Sequence, residues 1–197
     1  MGSLLQLQKR SMALAGLVMA AYLIFHMLTN LSFLSETNFN NFYQWYNAGP
    51  IRWLVLLIMI VAMFIHVKAA IRIRQVNSKA RTIDNKKHDK FKIPALFVTA
   101  SIIFLLTFIV VHIIQTLMFD TDILYSEIAQ LFQSELMVLF YLAGLFVLMM
   151  HLQHSLANVL QTLGKTSVTC YSLVWIATLL LTGGFALIPL YSYFVLS

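Results

Sequence analysis

The chain has 197 residues, of which 60% are hydrophobic and 10% charged, with a mean hydropathy of +0.84 and a net charge of +6. A soluble domain of this length carries far more charge, so the composition excludes an ordinary water-soluble enzyme and indicates an integral membrane protein. Nine of the thirteen Lys and Arg residues fall between Lys68 and Lys92, which points to a membrane face and its headgroups or a partner rather than to nucleic acid.

The single cysteine, Cys170, excludes an intramolecular disulfide and a four-cysteine cluster, and no C-x-x-C-H motif for covalent haem is present. The first apolar run is long and lacks a small-x-small cleavage site, so a removable signal peptide is not expected. No solenoid-type repeat or low-complexity segment interrupts what reads as a single membrane domain over 1–197.

Residues 1–11 read as a polar head ending in Lys9 and Arg10, followed by a first span over about 12–34. That length covers the roughly 30 Å of a hydrocarbon core. A loop with Glu36, Asn38, Asn40 and Asn41 follows, and its Tyr43, Trp45 and Tyr46 read as an interfacial belt. The second span covers about 51–73 and leads into a basic loop over about 74–92, where His88 reads as solvated. Pro94 suits the first turn of a third span over about 93–119. An acidic loop with Asp120, Asp122, Glu127 and Glu135 precedes the fourth span, about 136–163, capped by Gly164. The fifth span covers about 168–195 and contains Pro189, where a bend is expected.

Lys9, Arg10, the 68–92 stretch and Lys165 fall on one side of these five spans, and the acidic loops fall on the other. By the positive-inside rule the amino terminus is cytoplasmic and the carboxyl terminus external.

Five of the six histidines lie within spans: His26, His66, His112, and the pair His151 and His154. On the fourth span Asn158, Gln161 and Lys165 continue the line of His151 and His154 at steps of three and four, forming one polar stripe. Hydrocarbon offers such groups no water, so they must face the protein interior, a cofactor or a cavity. At about 1.5 Å per residue, His26 lies about 21 Å from the inner end of its span and His112 about 27 Å from that of the third. His66 lies about 22 Å, and His154 about 27 Å, from the outer ends of theirs. The first pair therefore belongs to the outer half and the second to the inner half.

In an up-down bundle, spans one and three lie on one diagonal and spans two and four on the other. Each diagonal then carries a histidine pair at one depth, the arrangement of axial ligands for non-covalently held b haem. Two stacked haems follow. Gly16 lies ten residues inward of His26 and Gly144 ten residues outward of His154, each offset about 15 Å, so each glycine falls near the other haem level. Ala15, Ala100 and Ser101 add room at the inner level, although small residues also serve ordinary helix packing. Met27, Met63, Met149 and Met150 read as packing, two separate levels do not suit zinc, and no Asp or Glu lies deep in a span. A lone membrane histidine also works as a helix–helix hydrogen-bond donor, so a transporter or structural anchor without haem is the alternative from another class.

Four segments carry a family resemblance. MALAGLVMAAYLIFHMLTNLSF, which includes His26 and Asn30, resembles the first span of the single-chain, five-helix cytochrome b subunits of succinate dehydrogenase and fumarate reductase. IHVKAAIRIRQVNSKAR resembles their second-span exit, GLFVLMMHLQHSLANVLQTLG their fourth span and GFALIPLY their fifth. The resemblance implies two b haems on His26, His66, His112 and His154, with flavoprotein and iron–sulfur subunits docked on the cytoplasmic side of a bacterial inner membrane. It also implies electron exchange with a membrane quinone, usually menaquinone. The chain has no flavin or iron–sulfur motif, so dicarboxylate chemistry belongs to the partners. Ser155 replaces the family's glycine after the second histidine of the fourth span, and Asn158 stands where serine is common, so contacts around the inner haem are expected to differ.

Within this scheme His151 is expected between the haem levels, and Lys68, Arg72 and Arg74 are candidate partners for haem propionates or for the iron–sulfur subunit. Glu36, near the outer haem, is the candidate for proton exchange at a quinone site. A diheme quinol cytochrome of a nitrate reductase or hydrogenase is the other oxidoreductase reading.

Overall fold

The computed structural model describes residues 2–80, 95–162 and 167–196. Seven α-helices make up nearly all of it: α1 (Gly2–Asn30), α2 (Glu36–Asn47), α3 (Ile51–Ala80), α4 (Ala95–Met118), α5 (Leu124–Leu131), α6 (Glu135–Thr162) and α7 (Val168–Val195). Short 3₁₀ turns at Leu31–Leu34 and Thr121–Ile123 join some of them, and no strand occurs among the described residues. Helices α1, α3, α4, α6 and α7 contain five stretches long and apolar enough to cross a membrane: Leu4–Leu34, Ile51–Val76, Thr99–Met118, Glu135–Leu160 and Val168–Val195. No more than a third of any of these stretches is buried within the chain. Leu14, Leu17, Phe64, Ile103, Leu139 and Leu180 all stand exposed. So much contiguous apolar surface is unfavourable in water and matches a lipid environment.

The helix boundaries depart from a reading based on polarity. Helix α1 begins at Gly2 and takes in the polar head, and α3 continues to Ala80 into the basic stretch. The polar segment after the first span is not a loop but helix α2, and the acidic connection contains helix α5. Pro94, Gly164, Lys165, His88 and residues 81–92 lie outside the described residues. Pro189 stands inside α7.

The chain divides into two compact units, one within Met1–His26 and Trp45–Lys92, the other within Met27–Gln44 and Ile93–Ser197. In the first, Ala62, His66 and Ala69 follow one another at steps of four and three on α3, and both alanines are buried, as is Ala15 on α1. Such small residues let membrane helices approach closely. In the second, Val138, Tyr141, Leu145, Leu148 and Leu152 repeat at alternating steps of three and four along α6 and are all buried. This is the seam of a close helix pair. Helix α7 answers with Val174, Thr178 and Thr182 at steps of four, and the pair runs antiparallel, with Tyr193 donating to Glu135 Oε1 at 2.9 Å. The polar members of this seam are satisfied locally. Thr178 and Thr182 donate to the carbonyls of Val174 and Thr178, and Gln153 Nε2 donates to Thr178 Oγ1 at 3.3 Å.

An aromatic cluster closes one end of the second unit. Phe33 from the 3₁₀ turn and Phe39 from α2 are almost wholly buried, and Phe33 stacks on Tyr125 of α5 at 4.5 Å. Tyr43 packs on Phe39 and donates to Asn30 Oδ1 at 2.6 Å. Burial raises the Tyr125 hydroxyl above its ordinary 10.0, and the nearby Tyr191 and Glu36 push the same way. Phe39→Ala is expected to destabilise the protein by about 3–5 kcal/mol in detergent unfolding, the usual cost of truncating a buried phenylalanine. The same variant should bring Tyr125 back towards an ordinary tyrosine titration.

Candidate functional site

Four of the histidines recur at similar positions along their apolar helices. His26 lies 34 − 26 = 8 residues before the end of its apolar stretch, His66 lies 76 − 66 = 10, His112 lies 118 − 112 = 6 and His154 lies 160 − 154 = 6. Each of the four thus lies in the later half of its own apolar stretch.

In the first unit, His66 Nδ1 stands 3.0 Å from the carbonyl oxygen of Met12 on α1. A carbonyl only accepts, so Nδ1 carries the proton and the ring's lone pair is on Nε2. Met12 and Gly16 are one helical turn apart, and a Cβ built on Gly16 would meet the His66 ring at 3.4 Å. That is ordinary van der Waals contact, so the imidazole lies against the α1 backbone at Gly16 without crowding. His26 stacks on Tyr22, one turn earlier on the same helix, with ring centres 5.2 Å apart and 11° between planes. Arg72 and Arg74 are exposed, and Lys68 Nζ lies 5.7 Å from the centre of the Phe64 ring.

In the second unit, His112 Nδ1 lies 3.3 Å from the Tyr141 hydroxyl, which donates its proton to Gln115 Oε1 at 2.7 Å. The Tyr141 hydroxyl has one proton, so towards His112 it accepts. Again Nδ1 is the donor and Nε2 holds the lone pair. Gln115 Nε2 in turn points at Met137 Sδ, 3.7 Å away, which fixes the amide with its oxygen towards the tyrosine. Phe108, one turn before His112, lies 6.3 Å from it with 20° between ring planes. The same ring fills the space beside Gly144, where any Cβ would overlap it. Gly144 thus accommodates Phe108 within this unit.

His154 is exposed, and its Nε2 lies 3.1 Å from Asn158 Nδ2. An amide NH₂ only donates, so Nε2 is the acceptor and its lone pair is occupied by its own helix. His151 is partly buried, as is Ser101, while Glu36 is exposed in the first turn of α2. Asn30 is the acceptor for Tyr43. Gln161 and Lys165 of the polar stripe have side chains outside the described residues.

A neutral imidazole binds a metal through its lone-pair nitrogen, and a hydrogen bond from the other nitrogen fixes the tautomer and the ring. His66 and His112 are held in this manner, and His154 has the same tautomer. The lone-pair nitrogens of His66 and His112 are thus of the kind that can ligate iron, whereas that of His154 is taken by Asn158. Among the described residues no three His, Cys, Asp or Glu side chains gather as a small-cation site. That concerns metals with three or more protein ligands, whereas a haem takes two.

Tyr141, Gln115 and Met137 did not stand out in the sequence. Gln115 offered a signal: it is three residues from His112, hence on the same helix face, and an amide in hydrocarbon needs a partner.

No protein-family model, curated protein or solved structure matches the chain.

The two glycines differ in the room they leave. Gly144→Ala should destabilise the protein by about 1–3 kcal/mol through overpacking against Phe108, and Phe108→Leu in the same chain should recover part of it. Gly16→Ala, at ordinary contact distance from His66, should unfold at the wild-type midpoint within error. Thermal unfolding in one detergent compares all four proteins.

Proposed function

We propose that the chain is the diheme cytochrome b membrane subunit of a succinate:quinone oxidoreductase. His26 and His112 are the ligands of an outer b haem, and His66 and His154 those of an inner one, within an up-down bundle of the first four spans. The observation that carries the reading is that each of these four histidines lies in the later half of its own apolar helix, which gives alternate depths for helices that cross a membrane in turn. The common Nδ1-protonated tautomer of His66, His112 and His154 supports it.

Each haem supplies one-electron exchange between ferric and ferrous iron. The chain's own residues hold and orient it. Met12 anchors His66, and Tyr141 anchors His112. Exposed Lys68, Arg72 and Arg74 continue α3 towards the basic stretch, where propionates or an iron–sulfur subunit would find cationic partners. A flavoprotein subunit then carries the dicarboxylate chemistry, and a membrane quinone, menaquinone in this reading, exchanges electrons near the outer haem. Glu36, exposed beside Tyr125, is the group placed to pass protons to water there. The setting is a bacterial inner membrane with the amino terminus in the cytoplasm.

A haem-free anchor or transporter is favoured by one observation: His154 is hydrogen-bonded to Asn158 within its own helix, as a packing histidine would be. The visible spectrum decides between them. The purified protein is expected to show b-type Soret and α bands and two haems per chain. His26→Ala, His66→Ala, His112→Ala and His154→Ala should each lose haem, while His151→Ala retains both. A colourless wild-type protein, or haem lost with His151→Ala but kept with His154→Ala, overturns the assignment.

A further inference from the structure

We infer that Tyr141 and Gln115 are positioning residues that set the tautomer and donor strength of His112, and so the reduction potential of one haem; this rests on the cytochrome reading above. The geometry is directional. Met137 Sδ receives Gln115 Nε2–H, Gln115 Oε1 receives the Tyr141 hydroxyl proton, and the Tyr141 oxygen receives Nδ1–H of His112. Each partner has one role open to it once its neighbour is set. If the amide were reversed, Gln115 would donate to the phenol oxygen and the phenol proton would turn to His112 Nδ1. The imidazole proton would then sit on Nε2, the nitrogen that iron requires. The Gln115 orientation thus selects the ligating tautomer two side chains away.

The phenol itself is held firmly. Tyr141 is buried on the seam of α6, with Phe132 edge-on at 4.8 Å and 89° and Phe108 at 5.4 Å and 84°. Its oxygen is therefore a fixed acceptor rather than a rotating one. An imidazole whose N–H is hydrogen-bonded is a stronger base, and a stronger axial base favours ferric over ferrous iron. No proton is transferred in this; the ring stays neutral and the haem exchanges one electron.

The described bonds of His66 and His154 are of another kind. His66 donates to a backbone carbonyl that already serves its own helix, and His154 accepts from Asn158. The His112 bond runs to a side-chain relay that mutation can remove without touching the backbone or the ligand.

The test is a mediated redox titration of the purified haem-loaded protein, with Tyr141→Phe and Gln115→Leu. Tyr141→Phe keeps the ring and all of its aromatic packing and removes one oxygen. Gln115→Leu keeps Tyr141 and removes its acceptor. Both should retain two haems and move one midpoint upward by roughly tenfold in the ferric/ferrous equilibrium, about 59 mV for one electron, while the other midpoint stays in place. Gln115→Glu preserves an acceptor and should leave the potential near or below that of the wild type. Low-spin ferric electron paramagnetic resonance should show one altered signal of two in the first two variants. Two unmoved midpoints in both Tyr141→Phe and Gln115→Leu, with haem retained, overturn this inference and leave the cytochrome reading standing. A wild-type protein without haem overturns both. Should Tyr141→Phe fail to fold, the Gln115 pair decides alone, because Leu and Glu differ in accepting the bond and not in contacting the seam.

Discussion

A neutral imidazole in hydrocarbon has an N–H that must find an acceptor, and this single requirement shapes both units of the chain. His66 meets it by reaching the Met12 carbonyl, one turn from Gly16 on α1. His112 meets it through Tyr141, whose own proton goes to Gln115. Leaving a buried polar group unpaired costs about 1–3 kcal/mol in protein mutational data, comparable to the whole gain of burying one aliphatic side chain. Close helix approach, small residues and a tyrosine on the α6 seam are thus conditions for placing histidines in a membrane at all. That the proton ends on Nδ1 in each case is the chemical consequence.

Helix α6 separates its duties by face. The stripe from Val138 to Leu152 packs the second unit and carries Tyr141 within it. His154 and Asn158, one turn apart, lie exposed off that stripe. Placing Tyr141 in the packing stripe gives its hydroxyl a rigid mount, while His154 on the other face keeps a side chain that can change partner. Across the seam, Thr178 and Thr182 return their hydroxyls to their own helix, while Gln153 to Thr178 and Tyr193 to Glu135 bond between α6 and α7.

The five apolar stretches were legible in the sequence because a run of about twenty apolar residues has few other physical explanations. The segment Glu36–Asn47 was not. Its Asn-rich pattern favours turns, but Phe39, Phe33 and Tyr125 bury one another and that packing outweighs a weak local propensity. The start of α1 was misjudged for a related reason: polar residues at a helix end say where lipid stops and not where the helix stops. Of the site, the histidines were legible through their cost in hydrocarbon. Tyr141 was hidden because a tyrosine inside an apolar run reads as packing, and so was Phe108, whose ring on another helix fills the space beside Gly144.

The relay behind His112 also bears on where protons go. It passes from imidazole to phenol to amide and ends on the thioether of Met137, a weak acceptor with nothing to hand on. An amide that donates with its nitrogen while accepting with its oxygen does not shuttle a proton without rearranging. The arrangement therefore polarises the imidazole without conducting. Within the described spans the only carboxylate is Glu135, at the very start of α6 and bonded to Tyr193. On the proposed reading, electrons crossing between the two haem levels would then move without protons following them through this chain, and each crossing would carry net charge against or along the membrane potential.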